Sequence, residues 1–162
     1  MRLIKHFFFA SFVFLSVFAD KIIASPLIDV NLRAGLISAL KQHPSILGFY
    51  KENEYELIWL KNNEVSLQRR AELINSLKTA SFHGLPAKKY QIKELLGRLS
   101  TSDSLFDIGF LEGLLMVAFT EYASDMNSGV LVPSEVDSDI LREIKLKDPN
   151  FYIRDLISRN PY

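Results

Sequence analysis

The chain has 162 residues, 48% of them apolar, with 19 basic and 19 acidic side chains. That is enough for one domain with its own core, and a net charge of zero lacks the basic excess that nucleic-acid binding draws on. No cysteine is present, which excludes disulfides, cysteine-based zinc sites and a lipid-modified amino terminus.

The first segment reads as a secretory signal rather than as part of the fold. Arg2 and Lys5, with His6, form a positive start. Phe7 to Ala19 is uncharged and apolar, yet shorter than the roughly 20 residues a spanning helix needs. Val17-Phe18-Ala19 and Ile22-Ile23-Ala24 offer two cleavage points. Residues 1–24 are therefore expected to be a signal peptide, and 25–162 the exported domain. Left uncleaved, the same segment would anchor the chain to a membrane.

Helical spacing then dominates. Asp29 can cap a helix carrying Leu32, Leu36, Ala39 and Leu40. His43-Pro44 ends it, because proline disfavours a helical residue before it. Ser45 can cap a short second helix with Ile46, Phe49 and Tyr50. Tyr55 to Trp59 is either extended or a loop that turns its aromatics inward.

Asn63 precedes a third helix. Its expected apolar face is Leu67, Ala71, Ile74 and Leu77, with Gln68, Arg69, Glu72 and Lys78 mostly opposite. It stops near Phe82, where His83-Gly84 suits a left-handed terminus, and Pro86 delays the next helix. That one holds Ile92, Leu95, Leu96 and Leu99.

Ser102 or Asp103 can cap the longest helix, about 25 residues by its pattern. Leu105, Ile108, Leu111, Leu114, Leu115, Ala118, Phe119, Tyr122 and Met126 recur at three and four. A helix apolar on most sides is expected at the centre of a fold. Gly109 and Gly113 would let another helix approach closely. Ser134 is expected to cap a short helix ending near Arg142. Asp148-Pro149 opens a last one with Phe151, Ile153, Leu156 and Ile157. No strand pattern of useful length survives. The expected class is all-α, a single helical domain around one long central helix.

Few residues invite chemistry. His83, beside a glycine, has the place of a general base, but no nucleophile or acid partner is apparent. The reading preferred is a ring that hydrogen-bonds backbone at a helix end. Glu112, inside an apolar helix, suits either proton transfer with a raised pKa or acceptance of hydrogen bonds from a neighbouring loop's amides. The second is preferred. Asp125 is expected to brace the Gly129 turn. Tyr50, Tyr55, Trp59 and Tyr90 are a sugar platform or, as preferred, core aromatics with hydroxyls reaching the surface. His43 and His83 have no metal-ligand spacing, and there is no phosphate loop, nucleophile elbow or HExxH helix. No catalytic, cofactor or metal residue is assigned.

Three stretches carry a resemblance. The first is Phe49-Tyr50 followed by Tyr55 and Trp59. The second is Leu77, Ala80, His83-Gly84-Leu85, Pro86 and Tyr90. The third is Leu114-Leu115, Ala118-Phe119, Tyr122-Ala123, Asp125, Gly129 and Pro133. In this order and spacing they resemble the helical scaffold domain that precedes the catalytic domain in large periplasmic L,D-transpeptidases, over roughly residues 46 to 156. Asn53 stands where that family usually has arginine, Leu57 where it has proline, and Glu112 where it tends to have aspartate.

The resemblance implies a periplasmic, non-catalytic scaffold for peptidoglycan cross-linking. That family attacks its donor peptide with a cysteine thiolate, and this sequence has none. The implied partners are a separately encoded L,D-transpeptidase catalytic domain and peptidoglycan, with no nucleic acid. The alternative is a free-standing periplasmic helical module that binds murein or a protein. In either case the family-motif residues, with Glu112, are expected to be structural.

Overall fold

The computed structural model describes residues 26–129 and 146–159. The expected signal peptide, the expected helix from Ser134 to Arg142, and Pro133 lie outside the described residues. Within them the chain is all-helical, with no strand.

Helix α1 spans Pro26–Leu40 and α2 spans Pro44–Glu52. Proline is tolerated in the first turn, where its missing N–H would be unpaired anyway, so both helices start on one. Asp29 therefore lies inside α1 and is not its cap. Ser45 does not cap α2 either. Its hydroxyl donates to the Asp148 carboxylate at 2.8 and 3.0 Å.

Helix α3 spans Glu64–Thr79, and Asn63 caps it by accepting from the Ser66 amide at 2.8 Å. Two short 3₁₀ turns follow, Ala80–His83 and Ala87–Tyr90. Helix α4 spans Ile92–Thr101. The long helix α5 spans Leu105–Ser128, and α6 spans Pro149–Arg159. The cap of α5 is Ser104, whose hydroxyl accepts from the Asp107 amide, rather than Ser102 or Asp103.

Two faces differ from expectation. On α3, Leu67 is 56% exposed while Ser66 is 1% exposed. Eleven residues bring a helix almost back to the same face, so Ser66 shares the side of Leu77 and Leu67 turns roughly 80° away. On α6, Phe151 is exposed and Tyr152 is buried beside Ile153.

Helix α5 is the axis of the molecule. Leu111, Leu115 and Met116 are buried in the same core as Leu36, Tyr50, Trp59 and Leu77. Its tightest partner is α1. A Cβ on Gly109 would sit 1.9 Å from the Leu32 carbonyl oxygen, and one on Gly35 would sit 2.0 Å from that of Phe106. The two backbones touch, as the Gly109/Gly113 pair suggested, with Gly35 completing the contact from the other side.

Candidate functional site: two carboxylates on α5

The loop leaving α2 turns sharply. Glu54 and Tyr55 both take positive φ, 53° and 60°, and the Tyr55 amide donates to the Tyr50 carbonyl at 2.7 Å. Asn53 donates its side-chain amide to the Phe49 carbonyl at 2.8 Å. The turn delivers three successive amides to one acceptor. Ile58 N donates to Glu112 Oε1 at 2.7 Å, Trp59 N reaches both oxygens at 3.1 and 3.2 Å, and Leu60 N donates to Oε2 at 3.0 Å. The Tyr50 hydroxyl adds a fourth donor at 2.7 Å.

Glu112 is fully buried. Burial pushes its carboxyl above the usual carboxylate range, while the Tyr50 hydroxyl and the loop amides pull it back. Burial and the facing carboxylate raise the Tyr50 hydroxyl well above its ordinary value. The preferred reading of Glu112, an acceptor for a neighbouring loop, is what the geometry shows. With its donors in place and no solvent contact, it acts as a clasp.

Asp125 holds a second loop. It receives the Lys89 ammonium at 2.7 and 2.9 Å and the Tyr90 hydroxyl at 2.8 Å. The expectation that its side chain braces the Gly129 turn is corrected. That turn uses backbone only, with Gly129 at φ 81° and its N–H on the Asp125 carbonyl at 2.8 Å. The positive charge of Lys89 draws the carboxylate to the second loop instead.

His83 is exposed, and no hydrogen bond holds its ring among the described residues. The turn it was expected to fix rests on its neighbours. Gly84 takes φ 71° and donates to the Ser81 carbonyl, and Leu85 N donates to the Ala80 carbonyl, both at 3.1 Å. Leu85 is buried and Pro86 is exposed.

The aromatics are core, but two hydroxyls do not reach the surface. Those of Tyr50 and Tyr90 end on Glu112 and Asp125. Trp59 packs on Phe119 at 5.4 Å, and Tyr90 meets Tyr122 edge-on at 5.6 Å. Tyr55 is half-buried under the Arg33 guanidinium at 4.9 Å.

Glu112 and Asp125 thus sit roughly 20 Å apart along one helix, each clasping a loop that carries part of the motif set. No His, Asp or Glu cluster among the described residues could hold a metal ion, and no helix among them is long and apolar enough to cross a membrane.

The family described as Scaffold domain matches residues 44–161. The chain belongs to the scaffold-domain family. No curated protein and no solved structure matches it. The scaffold-domain match opens at the first residue of α2 and takes in both clasped loops. Helix α1 precedes it, although α1 fills the glycine face of α5. The sequence alone missed Lys89, whose signal was its place beside Tyr90. It also missed the join of α2 to α6, where Asn150 donates to the Ser45 hydroxyl at 3.2 Å.

Proposed function

We propose that this scaffold domain is the non-catalytic part of a periplasmic L,D-transpeptidase system that cross-links peptidoglycan. The support is membership of a scaffold-domain family together with the three motif stretches that resemble the helical scaffold of those enzymes. The observation that carries the reading is where those stretches lie. Two run into loops pinned by buried carboxylates to the helix that holds most of the third. Such an arrangement suits a rigid support rather than a reaction centre.

The 162 residues contain no cysteine, so a thiolate must come from outside them. Among the described residues no serine sits beside both a base and an oxyanion site. The test is reconstitution. The mature chain alone is expected to leave tetrapeptide muropeptides unchanged. With an L,D-transpeptidase catalytic chain from the same cell, it is expected to associate and raise the yield of 3-3 cross-links. Turnover by the scaffold chain alone, or a catalytic chain that ignores it, contradicts the reading. Export is tested separately. Mass spectrometry of periplasmic protein should find a start near Asp20 or Ser25, and an intact Met1 on soluble cytoplasmic protein would contradict it.

A further inference from the structure

Tryptophan and tyrosine normally find a partner for their polar tip when buried. The Tyr50 and Tyr90 hydroxyls do so on Glu112 and Asp125. Trp59 does not. It is only 1% exposed, and its indole Nε1–H donates to no acceptor among the described residues. The ring is held in place rather than free to seek one. Its backbone amide donates to Glu112, its carbonyl accepts from Arg70 Nη1 at 3.4 Å, and the ring packs on Phe119. A buried donor left this way carries a desolvation cost that an acceptor would remove.

Trp59 also lines a cleft of ≈ 230 Å³ between α3, α5 and α6. That is below the roughly 300–1,000 Å³ typical of drug-sized ligands, so it suits one ring or a short branched chain. Leu73, Phe119 and Leu156 give it apolar walls. Its charged groups are Arg69 and Arg159 against Glu72. Glu72 is exposed and accepts from Gln68 at 2.8 Å, while Arg159 also holds Asp155 at 2.8 Å. Indole and guanidinium groups only donate, and an ionised carboxylate only accepts.

We propose that this cleft binds a small apolar monocarboxylate, an aromatic or branched body ending in one carboxylate. The carboxylate accepts from Trp59 Nε1 on the side of the two guanidiniums, and the body lies against the apolar walls. The indole nitrogen is closed to solvent as the cleft stands, so the lining shifts aside as the ligand enters. The binding holds or fails independently of any transpeptidase partner. It also has a built-in reporter, since Trp59 is the sole tryptophan.

The test titrates the mature chain with hydrocinnamate and with its amide, read by Trp59 emission and by calorimetry. The acid should bind saturably at one site and shift the emission. The amide keeps a carbonyl acceptor but no charge, and should bind on the order of tenfold more weakly. Trp59→Phe keeps a ring beside Phe119 and removes the donor. By calorimetry it should weaken the acid on the order of tenfold. If Trp59→Phe fails to fold, Ser76→Phe decides, since Ser76 lines the cleft and is half-buried on α3. Its ring should fill the cleft and abolish binding with helicity intact. Absence of saturation, equal binding of acid and amide, or wild-type affinity in a folded Trp59→Phe or Ser76→Phe variant overturns the proposal.

Discussion

Glu112 shows how one side chain can hold a loop that has no regular structure of its own. Replacing it with alanine orphans three amides and a hydroxyl in the interior. Breaking a buried charged network in this way should cost about 3–5 kcal/mol in chemical denaturation. Glu112→Gln keeps one carbonyl oxygen but sets an NH₂ against an N–H, since all its neighbours are donors. Its loss should be smaller, about 1–3 kcal/mol. Equal stability of wild type and Glu112→Ala would show that the clasp carries nothing.

The two clasping tyrosines make a pH prediction. Burial first, then the acceptor carboxylates, raise both hydroxyls above the ordinary value of 10.0. A raised folded-state pKa means that the contribution to stability is whole below that ordinary value. It is lost as pH climbs through the folded one. Tyr50 and Tyr90 should therefore give no phenolate absorbance at pH 10.0 and should appear only as alkali unfolds the chain. Their ionisation near pH 10.0, helicity intact, would place them outside the core. Tyr50→Phe and Tyr90→Phe identify the missing signals.

At the scale of elements, the α1–α5 contact rests on glycines. Alanine is ordinarily the better helix former by about 1 kcal/mol. At Gly109 its Cβ would land on the Leu32 carbonyl, so the helices must part. Gly109→Ala should lower stability by about 1–3 kcal/mol despite its propensity. Gly97, inside α4, has nothing within 4 Å of such a Cβ, and Gly97→Ala should raise stability by about 0.5–1 kcal/mol. The same substitution thus changes sign with its surroundings. Thermal denaturation that moves both variants upward would deny the close approach.

The helices themselves were legible, because apolar positions at three and four persist through α3, α5 and α6. Their exact facing was less so. Leu67 and Phe151 fit an apolar stripe by residue type and point outward. Ser66 and Tyr152 sit on the buried side, and a hydroxyl hides that from any reading by hydrophobicity. Caps were similarly ambiguous, since Ser102, Asp103 and Ser104 are all capable and only the chain's path selects Ser104.

At the scale of the whole molecule, what the sequence could not supply was pairing across distance. Glu112 announced itself as a carboxylate in an apolar helix, but nothing local named Ile58, Trp59 and Leu60, more than fifty residues earlier, as its donors. Lys89 likewise carries no mark of Asp125. Gly35 gains its meaning only once α1 lies on α5. These contacts together make α5 a beam to which the earlier loops are fastened. A scaffold role depends on that rigidity. The loops should open only when the whole domain does, unlike ordinary surface connections.

Native-state amide hydrogen exchange tests this most directly. The amides of Ile58, Trp59 and Leu60 lie in no helix or strand, so their protection can come only from Glu112. They should exchange as slowly as amides in the middle of α5, such as Leu115. In Glu112→Gln the amides that face the new NH₂ should lose that protection, while those on the remaining carbonyl oxygen and Leu115 keep more of theirs. Fast exchange at these three positions in the wild-type chain, at the rate of exposed Asn62, would contradict the account.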